Sequence, residues 1–146
     1  MSFNWIVLTV LLIAIGVSSQ HLEQSLRLSD YATVDSLSRN FLVYRSAAAQ
    51  YAKTHPTFSG IPADASLSLP PWFTKPDGIA AYLVSGQSYT FVTGAAPPGL
   101  PAALAERTQS ITVGVKRSGR LFSPLAGTTS LTLPSVIPED AIVAVN

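Results

Sequence analysis

No carboxylate, lysine or arginine precedes Glu23, and within that stretch residues 5–17 (WIVLTVLLIAIGV) are apolar apart from Thr9. A helix over 1–22 would be roughly 33 Å long at about 1.5 Å per residue. That is enough to cross a hydrocarbon core of roughly 30 Å once. Asn4, Thr9, Ser18, Ser19 and Gln20 lie toward the ends of the run or can bond back to helix carbonyls, so none forbids burial. Residues 1–22 are therefore expected to form a transmembrane helix in which Trp5, Ile6, Val7, Leu8, Val10, Leu11, Leu12, Ile13, Ile15 and Val17 meet the lipid bilayer. The rival is a cleaved secretory signal, for which Val17-Ser18-Ser19 offers small residues at a plausible cleavage point. The missing basic n-region, with Arg27 the first arginine, favours a retained anchor. Both readings export the remainder. Charge leaves the topology open, because the terminal amine stands on one side and Arg27, Arg39 and Arg45 on the other.

Residues 23–146 suffice for one domain and are too few for two independent cores. A formal charge of +1 and a charged fraction of 12% provide no electrostatic footprint for nucleic acid. Without cysteine, a disulfide scaffold, a thiolate metal site and a cysteine nucleophile are all excluded.

From Gln20 to Lys53 neither Pro nor Gly interrupts helix formation, and Ser29 or Asp30 could cap a new helix within the run. Val34, Leu37, Phe41, Tyr44, Ala48 and Tyr51 recur at spacings of three and four, the pattern of an amphipathic helix over 23–56 with one buried face. A run this short more often seals its own domain than builds a coiled coil. Residues 57–78 are broken by Pro56, Pro62, Pro70, Pro71 and Pro76 with Gly60 and Gly78, and read as an extended crossing. Leu67, Leu69, Trp72 and Phe73 are expected to insert into the domain and hold this loop against the helix.

Strands follow in the rest of 57–146. Residues 79–84 and 89–93 suggest a hairpin about Ser85-Gly86-Gln87-Ser88, and 111–116 with 120–122 a second about Arg117-Ser118-Gly119. A short helix is expected at 102–107, started by Pro101. Residues 131–133 and 141–145 could form a last strand pair. The fold class is thus α+β: an N-terminal transmembrane helix continuing into an amphipathic helix packed on an antiparallel sheet.

Chemistry-bearing patterns are sparse. His21 and His55 have no carboxylates at metal-ligand spacing, and neither pairs with a nucleophile elbow. The segment GVKRSG at 114–119 lacks the Lys-Ser/Thr of a phosphate loop and lies where a turn is expected. Glu139-Asp140 reads as a solvated turn, and Lys116, Arg117 and Arg120 as a solvated hairpin tip. The expectation is a non-enzymatic protein with no cofactor, no metal and no small-molecule substrate.

The layout resembles the type IV pilin architecture. Residues 41–51 (FLVYRSAAAQY), His55-Pro56 with Phe58-Ser59-Gly60, 67–73 (LSLPPWF) and the ending 137–145 (IPEDAIVAV) sharpen the likeness. Together they resemble the PilM family of type IVB thin-pilus systems on conjugative plasmids, distinct from the actin-like cytoplasmic protein of the same name. Pilin subunits carry a Gly before the cleavage point and a Glu at the fifth mature position. Here no Gly precedes Gly16 and no acid precedes Glu23. The resemblance therefore implies a pilin-shaped accessory protein: a single-pass component of the bacterial inner membrane with a periplasmic domain. It would serve the pilus assembly or basal apparatus, and with it conjugation, by contacting pilins or other assembly proteins through its helix and sheet edge. The alternative is a minor pilin or a secreted binding module after N-terminal cleavage, with Trp72, Phe73 or an edge strand as its contact.

Overall fold

The structure, a computed structural model, describes residues 2–146, with side chains described for 7–10 and 24–146. Helix α1 spans Ser2–Thr54, and a single 3₁₀ turn follows at Asp64–Ser66. Then come β1 (Ile79–Val84), β2 (Gln87–Val92), α2 (Leu100–Thr108), β3 (Val113–Arg117), β4 (Arg120–Ser123), β5 (Gly127–Thr132) and β6 (Ile142–Val145). The chain divides into two compact units, Met1–Thr33 and Val34–Asn146.

The first unit is helical. Of the expected anchor, Val7, Leu8 and Val10 are exposed, whereas the side chains of Trp5, Ile6, Leu11, Leu12, Ile13, Ile15 and Val17 lie outside the described residues. Among the described residues no helix is long and apolar enough to cross a membrane. Ser29 and Asp30 start no new helix. They lie inside α1, where Thr33 Oγ1 donates to the Ser29 carbonyl at 2.9 Å, and neither Pro nor Gly occurs between Gln20 and Thr54 to break the run.

The second unit is built on a six-stranded sheet of order β1-β2-β6-β3-β4-β5, in which every neighbouring pair is antiparallel. Two Ser-Gly dipeptides make its tight hairpins. Ser85 and Gly86 have φ of 51° and 77°, and Ser118 and Gly119 have 49° and 74°. Positive φ at both central positions is the type I′ turn, whose twist matches that of paired strands. The first turn is thus tighter than the four residues expected.

The expected pairing of 131–133 with 141–145 does not form. β6 enters between β2 and β3, while β5 pairs with β4 at the sheet edge. Burial explains the difference: all four residues of β6 are buried, and β5 alternates between half-buried and exposed. A strand apolar on both faces lies in a sheet's interior, and a half-polar one can face water.

Strand alternation sends side chains to two cores. On the face that carries α1 and α2, Phe41, Tyr44, Ala48 and Ala52 pack with Ala81, Leu83, Leu100, Leu104, Val113 and Ile142. On the other, Tyr89, Phe91, Leu121, Val143 and Val145 pack under Leu133, Ile137 and Ala141 of the β5–β6 connection. Lys116 corrects a second expectation. It is buried, and its ammonium donates to the carbonyls of Ile137 at 2.7 Å and Pro134 at 3.1 Å, holding that connection down. Arg117 and Arg120 are exposed, with the Arg117 guanidinium 4.8 Å from the Phe122 ring centre.

Candidate interaction surface

The proline-rich crossing is held to α1 by a charged staple. Tyr44, buried in the helix, donates its hydroxyl to Asp64 Oδ1 at 2.7 Å, and Lys75 Nζ donates to both Asp64 oxygens at 2.9 Å. The same ammonium stands 5.0 Å over the Tyr44 ring. Lys75's hydrogen bonds, with Tyr44's behind them, hold the Asp64 carboxyl below its ordinary pKa against a smaller opposing effect of burial. Burial, then the bond to Asp64, pushes the Tyr44 phenol well up. Farther along, Gly60 exchanges backbone hydrogen bonds with Leu83 at 2.9 and 2.8 Å, closing part of the outer edge of β1.

At the crossing's sharpest bend, Phe73 N donates to the Pro70 carbonyl at 2.9 Å, with Pro71 and Trp72 in the central positions. Proline suits the first of these, since its ring presets φ. The adjacent aromatics stay edge to face, with ring centres 6.4 Å apart, but differ in depth. Phe73 stacks on Tyr44 at 6.4 Å between ring centres and joins the core, whereas Trp72 is 68% exposed. Trp72 is therefore a correction to the expectation that it inserts. Trp72 holds a central position of the turn, and Pro70-Pro71 just before it is the sequence signal by which a surface turn could have been found. Leu67 is buried and Leu69 half-buried against the core, as expected.

Beside Trp72 lies an open groove of about 350 Å³, lined by Asp35, Ser36, Arg39, Asn40, Val43 and Trp72. Ser36, Asn40 and Val43 form a helical row adjoining the core-facing one. Asp35 receives two guanidiniums: Arg39 at 3.0 Å, one turn along, and Arg107 from the last turn of α2. The residues expected on the packing face lie elsewhere on α1, where Phe41, Tyr44 and Ala48 are buried in the core and Val34, Leu37 and Tyr51 are half-buried against it.

His55 is exposed at the end of α1 and stacked 4.1 Å from Tyr51. Its neighbour, the Thr54 hydroxyl, bonds the Tyr51 carbonyl at 3.0 Å and so serves the helix end. His21 lies outside the described side chains. Among the described residues no group of three His, Asp or Glu side chains is placed to hold a metal ion. Segment 114–119 is strand and turn, and Glu139 accepts from Gly119 N at 3.1 Å.

The profile of the PilM family matches residues 9–145. The chain belongs to the PilM family. Its fold is similar to that of a protein named PilM from Escherichia coli B7A, with a TM-score of 0.59 and 26% identity over 80% of this chain and 93% of that one. It is also similar to a PilM protein from Pseudomonas aeruginosa 2192, with a TM-score of 0.51 and 46% identity over 77% of this chain and 92% of that one. No curated protein matches. In this PilM-family chain Phe41, Tyr44 and Ala48 of α1 are buried within the domain, and the row Ser36, Asn40 and Val43 beside Trp72 lines an open groove.

Proposed function

We propose that this chain is a non-enzymatic component of type IV thin-pilus assembly or of its basal apparatus. It acts through protein–protein contacts in pilus biogenesis and, where the pilus serves mating, in conjugation. The observation that carries the proposal is the PilM-family match over 9–145. The long α1 leading into an antiparallel sheet supports it, as the layout of pilin-like proteins. In this reading residues 1–22 anchor the chain in the bacterial inner membrane, the rest stands in the periplasm, and pilins or other assembly proteins are the partners.

The test is deletion and complementation in a thin-pilus host, scoring pili by electron microscopy and transfer by liquid mating. Loss of both, restored by the intact chain, is expected; normal piliation in the deletion strain would refute the role. Intact mass and fractionation address the anchor. Full-length mass in the inner membrane is expected, and a mass beginning near Ser19 in the soluble or sheared-pilus fraction would replace the anchor with a cleaved form. Leu11→Arg or Leu12→Arg should then abolish complementation.

A further inference from the structure

The ion cluster at the groove beside Trp72 sets two guanidiniums on one carboxylate. Asp35, the groove's single lining carboxylate, is paired both with Arg39 of the same lining and with Arg107 from α2, so these three side chains together carry one net positive charge. Arg39 is the more exposed member of its pair, with its side chain 69% exposed against 26% for Asp35. Trp72, whose indole is 68% exposed, lines the same groove, and its neighbour Phe73 packs against the core. Tryptophan and arginine are the residue types that most often dominate binding energy at interfaces. A volume of about 350 Å³ falls at the lower end of the roughly 300–1,000 Å³ of ligand-holding clefts.

These features select an occupant. A basic segment would set its charge against an ion cluster whose two guanidiniums share one carboxylate. A purely apolar one would cover Trp72 while stripping water from Arg39 without replacing its partner, which is unfavourable. An occupant bringing a carboxylate beside an apolar side chain meets both requirements, the first on Arg39 and the second on the indole. Resting on the reading that this chain works by protein contacts, we infer that the groove between α1 and Trp72 receives an acidic segment of another protein, an Asp or Glu next to a large apolar residue.

The test uses the full chain in pilus-producing cells, with Asn40 in the groove replaced by the photo-crosslinker p-benzoylphenylalanine. After irradiation, mass spectrometry of the adduct should identify a segment of a different protein, with an Asp or Glu within about four residues of a Leu, Ile, Val or Phe. Arg39→Glu should cut the adduct at least fivefold, and lysine in place of the partner's acid should restore it. Asp35 keeps Arg107 in that variant, and unchanged circular dichroism would confirm the fold. An adduct to a second copy of this chain, to lipid or to a segment without an acid would overturn the inference, as would no adduct in cells that still assemble pili. Those outcomes leave the pilus role standing. Normal piliation without the chain defeats the role itself.

Discussion

Replacing Lys116 with methionine should destabilise the fold by about 2–4 kcal/mol, although in the sequence the residue sits at a basic hairpin tip. Its relative exposure is 4%, and its ammonium donates at 2.7 and 3.1 Å to two carbonyls of the β5–β6 connection. Hydrogen bonds with a charged partner contribute roughly 1.5–3 kcal/mol each, so the gross loss is about 3–6 kcal/mol. Methionine fills much of the same slot and relieves the desolvated charge, returning about 1–2 kcal/mol. The third neighbour, Glu139, is 3.5 Å away and 52% exposed. Glu139→Gln should therefore cost at most about 1 kcal/mol, as screened surface pairs do. The assay is urea unfolding of both variants followed by far-UV circular dichroism, compared at equal m-value. If Lys116→Met falls within about 0.5 kcal/mol of the parent, or if Glu139→Gln matches it, the two carbonyls are not what holds the lysine and the reasoning fails.

Thr90→Val should stabilise by about 1 kcal/mol in the same assay, because the Thr90 hydroxyl is fully buried without a partner and the isosteric methyl carries no such penalty; a loss would mean the hydroxyl is satisfied. Gly114→Ala should cost about 3 kcal/mol or more, since a Cβ there would overlap the Phe122 carbonyl oxygen and lie 2.9 Å from Ser123 Cα, both backbone; wild-type stability would show that β4 can shift. The Asp64 staple predicts acid sensitivity. Its carboxyl titrates below the ordinary value when folded, so its contribution is present above the unfolded pKa and is lost as pH falls through the folded one. Asp64→Asn should thus lower stability at neutral pH and flatten its decline below about pH 4, read by unfolding at several pH values; an unchanged acid slope would refute the linkage.

The two hairpins were legible because Ser-Gly pairs flank β-rich runs, and both signals act over a few residues. The stripe from Val34 to Tyr51 was legible for the same reason, since each member's neighbours are three or four positions away. The place of β6 was not. Residues 142–145 declare that they are buried, but not that β2 and β3 are the strands that bury them. That choice is made across the whole second unit, where hydrophobic patterning sets face and depth without setting neighbours.

Trp72 and Lys116 failed in opposite directions for a shared reason. Residue type argued for burial of the indole and exposure of the ammonium. Local backbone reversed both: a Pro70–Phe73 turn leaves Trp72 at a central, exposed position while Phe73 packs against the core, and two carbonyls arriving from 134 and 137 convert an interior slot into a cation site. Each reversal depends on what a neighbouring segment has already claimed. Ile137 is fully buried, and the cage under it restrains the long β5–β6 connection that delivers β6 to the sheet centre. Phe73 packs against the core, and its neighbour is left lining a groove whose Asp35 pairs with two guanidiniums. The two exceptions to residue type therefore differ in consequence: a buried cation with both carbonyl partners in place ties one segment to another, whereas an indole 68% exposed beside the Arg39–Asp35 pair adds apolar area to the surface.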